Sequence, residues 1–263
     1  MKIIILGSNG MLGSACLEYF NNQNIDAITF DKRFSIEKYA EYKKELELLE
    51  PNMVINCIGK IPQKNSTLRD YYESNIVLPK LLSELKNDII LIHASTDCVF
   101  KPNNSSNSMS GNSTTALDDY GMSKGIGDNL IASHRNGYVL RTSIIGFTKN
   151  FQSEGLLDWF ARNAGKTVQG YDDHIWNGIT TKSWAKFVYD YFISTTNYKE
   201  LNNITHLGTT SVTSKYDLLN LVNEIKKFNV NIERTSSTYC DRSLVVDVTL
   251  GNIEQQIREL VND

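Results

Sequence analysis

Cysteine and histidine are scarce in this 263-residue chain, with four of each, and neither type clusters. Cys16, Cys57, Cys98 and Cys240 stand far apart without a Cys-x-x-Cys pair, which argues against a zinc site and for reduced thiols over disulfides. His93, His134, His174 and His206 are equally scattered; an isolated histidine is read as structural, so none is taken as a catalytic base or metal ligand. Long apolar runs are missing as well. The opening Ile3-Ile4-Ile5-Leu6 is too short for a signal-peptide core or a spanning helix, so no membrane partner is expected and the cytoplasm is the expected location. A net charge of -3 gives no electrostatic reason to expect nucleic acid. There is no internal repeat and no linker rich in proline or glycine, so any second lobe packs closely against the first. A small-molecule partner is the remaining expectation.

What is present is alternation. Short β-branched runs at about 2–6, 25–30, 53–57, 88–94 and 137–142 are separated by helical patterns at about 11–22, 36–49, 67–86 and 118–135. This predicts an α/β fold: a Rossmann-type, doubly wound parallel sheet over residues 1–145. Beyond Ile145 the alternation loosens, with helical patterns at about 153–164, 182–195, 214–228 and 252–261. Residues 146–263 are expected to form mainly a small substrate lobe that returns segments to the first domain. The stretch from Lys101 to Thr115 is dominated by asparagine and serine and reads as a loop, with a flap over the site as one role for it.

Gly7-Ser8-Asn9-Gly10-Met11-Leu12-Gly13 follows the first strand and opens the first helix. Glycines there let a pyrophosphate approach the backbone, and the helix start offers free N–H groups at the positive end of its dipole. Gly7, Asn9, Gly10, Met11, Leu12 and Gly13 are therefore candidate dinucleotide contacts. Asp31 at the end of the second strand suits the ribose hydroxyls of NAD(H); Lys32 and Arg33 directly after it suit the 2′-phosphate of NADP(H). Both cofactors stay open.

Tyr120 and Lys124 lie one helical turn apart on one face. Reduction of a ketone leaves an alkoxide to be protonated, and a tyrosine whose pKa is lowered by a nearby cation can supply that proton. Tyr39 and Lys43 share this spacing, but only Tyr120 follows a strand ending in a polar cluster, His93-Ala94-Ser95-Thr96-Asp97. Thr96, 24 residues before Tyr120, could hydrogen-bond the substrate carbonyl. Thr96, Tyr120 and Lys124 are the candidate catalytic set.

Gly7 to Gly13, Asn56-Cys57-Ile58-Gly59, Asn75, Ser95-Thr96-Asp97-Cys98-Val99-Phe100, Tyr120 to Lys124 and Leu140-Arg141-Thr142-Ser143 occur in the order seen in the dTDP-4-dehydrorhamnose reductase family, which the chain resembles. The resemblance implies NAD(P)H-dependent reduction of a 4-keto group on a nucleotide-linked deoxysugar, with Thr96 polarising the ketone and Tyr120 as general acid. It adds Cys57, Ile58, Gly59 and Ser95, with Tyr120 and Lys124, to the cofactor contacts. It also implies Asn75, Asp97, Cys98, Val99, Trp176, Asn177 and Arg242 as substrate contacts, the last three from weaker matches further along. Cys98 departs from the family's Ser-Thr-Asp-Tyr-Val-Phe and is read as a small lining residue. No metal-binding residues are assigned. Some members of that family use magnesium, so Mg2+ is carried as an optional cofactor, and a homodimer as an optional assembly. A catalytically idle NADP-binding regulatory subunit and a nucleotide-sugar epimerase are the alternatives.

Overall fold

The side chains of the opening strand, β1 (Ile3–Leu6), alternate between two cores, as a strand's pleat requires. Ile3 and Ile5 pack with Leu12, Cys16 and Phe20 of α1 (Met11–Asn22) and with Trp184 and Phe187 of the helix Thr181–Val188. Ile4 and Leu6 pack on the other face with Tyr42 and Leu46 of α2 (Tyr39–Leu48), with Leu78, Leu81 and Leu82, and with Ile131 of α5. Helix α5 covers Asp119–Ala132. Between α2 and α5 come α3 (Leu68–Tyr71) and α4 (Leu78–Ser83). The computed structural model describes residues 1–103 and 114–261.

β2 (Ala27–Phe30), β3 (Met53–Asn56), β4 (Ile90–Ser95) and β5 (Gly137–Arg141) join β1 as five strands of a seven-stranded sheet. Its order is β2-β1-β3-β4-β5, then Ile204–Gly208, then Val248–Thr249, all parallel. The order reverses at β1 and β3, the crevice where doubly wound sheets bind ligands. The chain after Ile145 thus supplies a helix and two strands to the main layers. It also builds a third core from Phe160, Val168, Trp176, Leu218, Val222 and Ile257.

Register puts a polar row at the carboxyl edge of the α5 face. Leu6 pairs with Asn56, Asn56 with His93, Ser95 with Arg141, and Arg141 with His206. Registered neighbours share a face, so an apolar face becomes polar where the strands end.

The segment expected as one helix over 67–86 begins with a Thr67–Asp70 capping box and passes from α3 to α4 through a π-helical stretch, Tyr72–Val77. Pro79 has no N–H to return to the Asn75 carbonyl four residues back, which releases the regular ladder there. α5 packs into that place: a side chain on Gly127 would lie 2.2 Å from the Asn75 carbonyl oxygen.

Candidate active site

Two pockets at the carboxyl ends of the strands hold most of the predicted residues. The first is the turn after β1. Gly7 takes φ +79°, in the left-handed region that favours glycine, and its carbonyl accepts from Gly10 N at 3.0 Å. A side chain on Gly13 would meet the Gly7 oxygen at 2.2 Å, so the helix can start this close to the strand only as glycine. Gly10 is the N-cap of α1 and no side chain caps that end, which leaves backbone N–H groups for an anionic ligand. Asn9 and Gly10 are exposed and Met11 is half-buried. The Leu12 side chain turns inward to the core beneath the sheet, so only its backbone N–H, in the uncapped first turn, is left for a ligand.

Asp31 accepts from Ser8 Oγ at 2.6 Å and Asn9 Nδ2 at 3.4 Å, which ties the end of β2 to the glycine turn. Lys32 is paired with Glu45, whereas Arg33 is exposed and makes no ion pair among the described residues. The turn continues across β3. A side chain on Gly7 would touch Ile58, and one on Gly59 would lie 3.5 Å from Asn75 Oδ1 and 4.0 Å from Lys124 Nζ. Cys57, Ile58 and Gly59 thus form a wall from the glycine turn to the lysine. These features fit a dinucleotide: an uncapped helix start, a cradle that Cβ atoms would fill, and an acidic and a basic residue at the end of β2.

The second pocket lies where β4 meets α5. Thr96 caps the short turn Asp97–Val99, accepting from Cys98 N at 3.1 Å and donating to Asp97 Oδ1 at 3.1 Å. Asp118 caps α5 by accepting from Gly121 N at 2.8 Å, and Gly121 lets the helix press against the Cys98 carbonyl. These contacts set Tyr120, in the first turn of α5, beside Thr96 and Cys98. Its ring lies 6.0 Å from that of Tyr71.

Lys124 is only 4% exposed; its Nζ donates to Ala94 O at 2.8 Å and lies 3.0 Å from His93 Nε2. His93 Nδ1 in turn lies 2.9 Å from Asn56 Nδ2. Beneath them Asp128 accepts from Arg141 Nε at 2.8 Å, both fully buried. Burial lowers Lys124 to about 8 against the opposing pull of Asp128 and Cys57. Burial also pushes the Tyr120 phenol well above its ordinary value, helped by Cys98 and opposed by the Thr96 hydroxyl. The expected lowering of the tyrosine by the lysine is therefore corrected. Desolvation dominates, and the phenol stays protonated, as a general acid requires.

On the substrate side, Asp97 is buried and Cys98 half-buried, with Cys98 Sγ 4.0 Å from Asp97 Oδ1. Burial and the Asp97 charge push the Cys98 thiol up to about 12, which disfavours the reactive thiolate at neutral pH. Arg242 donates to Phe100 O at 3.0 Å and brings its charge to this turn.

Four predicted substrate contacts have internal roles instead. Asn75, fully buried, spends its amide on Lys60 O, Lys60 N and Ser123 Oγ. Val99 is fully buried with Phe100 and Leu244. Trp176 sits in the third core, and Asn177 bonds Leu244 through both amide atoms at 2.8 and 2.9 Å. Amides and a tryptophan flanked by glycine suit chain bracing as well as ligand contact, and only packing separates the two roles. Ser95 is buried with no hydroxyl partner among the described residues. The other Tyr-x-x-x-Lys pair, Tyr39 and Lys43, binds Glu84 on the surface.

Asn56, His93, Asp128 and Arg141 are the site residues that sequence reasoning missed. Asn56, His93 and Arg141 all stood inside quoted motifs; strand register was the missing signal. The flap reading falls on residues 104–113, outside the described residues, although Asn103 and Thr115 at its roots bond Asp241 and Lys101. Among the described residues no group of three or more His, Cys, Asp or Glu could hold a metal, and no helix is long and apolar enough to cross a membrane. Magnesium has no support here.

A parallel sheet with a glycine turn after its first strand, and a threonine, tyrosine and lysine gathered at its fourth, defines an extended short-chain dehydrogenase/reductase. Within that class, the chain belongs to the RmlD substrate binding domain family, whose model matches residues 1–241. It is similar to a dTDP-4-dehydrorhamnose reductase from Bacillus anthracis solved with NADP, at 18% identity and TM-score 0.82, over 99% of each chain. The corresponding reductase from Clostridium acetobutylicum gives 18% identity and TM-score 0.78 over 100% of this chain and 99% of that one. A UDP-glucose 4-epimerase from Thermus thermophilus solved with NAD gives 13% and 0.74 over 100% and 98%. No curated protein matches the sequence.

Proposed function

We propose that this enzyme uses NADPH, in preference to NADH, to reduce the 4-keto group of a nucleotide-linked 6-deoxysugar, a step in making deoxysugar precursors of polysaccharides. The observation that carries this reading is the unbroken wall Gly7, Ile58, Gly59, Lys124, which leads from the phosphate cradle to Tyr120 and Thr96. The nicotinamide, when bound, supplies the hydride. Tyr120, protonated, gives its proton to the carbonyl oxygen; Thr96 turns its hydroxyl from Asp97 to the same oxygen; Lys124 holds the nicotinamide ribose. Residues 1–145 hold the cofactor, and the third core forms most of the substrate lobe. Arg242, beside Asp97 and Cys98, faces the diphosphate of the sugar nucleotide. Arg33, without an ion-pair partner among the described residues, favours NADPH by pairing with its 2′-phosphate.

The protein is expected to work in the cytoplasm. Exposed Leu68, Tyr72, Met122 and Ile126 on neighbouring helices support a homodimer. The test follows NADPH and NADH absorbance with dTDP-, UDP- and GDP-linked 4-keto-6-deoxysugars, with Tyr120→Phe in parallel. Oxidation by the wild type that the variant loses supports the reductase. Sugar conversion without NADPH consumption would make the protein an epimerase, and tight binding without turnover would favour a regulatory subunit.

A further inference from the structure

The hydrogen bonds beneath Lys124 run in one direction. Ile58 N–H donates to Asn56 Oδ1 at 3.0 Å, so the Asn56 amide must present Nδ2, a donor only, to His93 Nδ1. A donor at Nδ1 makes that nitrogen the acceptor, and the single proton of a neutral imidazole then sits on Nε2. Nε2 is the atom 3.0 Å from Lys124 Nζ. An ammonium there would set two donors head-on. A neutral amine accepts from Nε2 through its lone pair and still donates to Ala94 O.

We propose that Asn56 and His93 are positioning residues that favour the neutral amine of Lys124, so that it takes up its proton only at lower pH than an ordinary lysine, through protons that all point from Ile58 toward Ala94. To charge Lys124 in place, the imidazole proton would have to move to Nδ1 and Asn56 would have to turn over, leaving the part-buried Ile58 N–H facing an NH2 group in place of its acceptor. The surrounding charges do not relieve this. Asp128 Oδ1 lies 3.9 Å from His93 Nε2, but its other oxygen is bound to Arg141 from β5. Asn75 from the π-helical stretch and Ser123 from α5 are neutral and bonded to each other, and Tyr120 stays protonated. Cys57, after β3, is the remaining titratable neighbour. Burial keeps His93 neutral and lowers Lys124 to about 8, in the same sense as the geometry. In turnover, a consequence that rests on the function proposed above, the pair sets the pH at which Lys124 carries charge.

The test uses the full chain labelled with 15N in histidine and lysine, with His93 signals assigned through His93→Gln. The expected spectrum shows His93 protonated on Nε2 and Lys124 titrating well below the ordinary lysine range. Asn56→Asp offers one carboxylate to both Ile58 N–H and His93 Nδ1–H; it should reverse the tautomer and raise the Lys124 midpoint by about one unit or more, tenfold in proton affinity. A wild-type His93 protonated on Nδ1, a Lys124 charged throughout the ordinary range, or a folded Asn56→Asp with an unchanged tautomer would each overturn the proposal. If Asn56→Asp does not fold, the wild-type spectrum decides alone. No substrate or cofactor enters these measurements, so a failed activity assay leaves them untouched.

Discussion

The glycine turn after β1 and the lysine pocket between β4 and α5 stand at the same edge of one sheet, yet they are made of opposite materials. Around the turn, Asn9, Gly10, Asp31, Lys32 and Arg33 are all exposed, and α1 begins with uncapped backbone N–H groups that do not titrate. Around the lysine, His93, Asp128 and Arg141 are fully buried and Lys124 nearly so, and each can change charge or pair with a charge. The turn should respond to added volume and to salt. The pocket should respond to pH.

The sharpest break between the two is Tyr120→Phe. Turnover should fall by about 10²–10⁴-fold, the usual share of a general acid, while the cofactor dissociation constant stays put. Kinetics beside a binding titration would show whether the catalytic and cradle functions separate. Lys124→Met probes the buried charge through stability. The folded pKa of about 8 lies below the ordinary 10.5, so below pH 8 both states are charged and the burial penalty is full. Between pH 8 and 10.5 the unfolded chain binds more protons, and wild-type stability gains with rising pH. The stability difference between wild type and variant should move by about 3 kcal/mol in favour of the wild type between pH 7 and about pH 10.5, read in denaturant titrations.

At the turn, Gly13→Ala places a methyl against the Gly7 oxygen and should cost about 1–3 kcal/mol, read as roughly five- to 150-fold weaker cofactor binding with no change in its pH dependence. The smallest effect is Arg33→Ala. It should weaken NADPH by about tenfold, or 1.4 kcal/mol, and leave NADH alone, with the difference shrinking at high salt.

The same contrast explains how much could be read from the sequence. The turn is local: Gly7, Gly10 and Gly13 sit in seven consecutive residues, and their spacing alone implies the strand, the turn and the helix start. Tyr120 and Lys124 were legible for the same reason, being one helical turn apart. The pocket beneath them is assembled by register, which brings Asn56 beside His93 and Arg141 beside Ser95 from strands far apart in the chain. A histidine with no neighbour in sequence therefore looked structural. In the C-terminal half, Trp176 and Asn177 carried the right chemistry for a ligand, but whether an amide reads a sugar or the Leu244 backbone depends on long-range packing.

The most direct measurement of the central claim is the fate of the hydride. With NADPH deuterated at the transferred position and a 4-keto-6-deoxysugar nucleotide, the account predicts one deuterium at C4 of the sugar for each NADPH consumed, at a rate about 10²–10⁴-fold lower with Tyr120→Phe. Sugar conversion with no deuterium in the product and no loss of NADPH would contradict it.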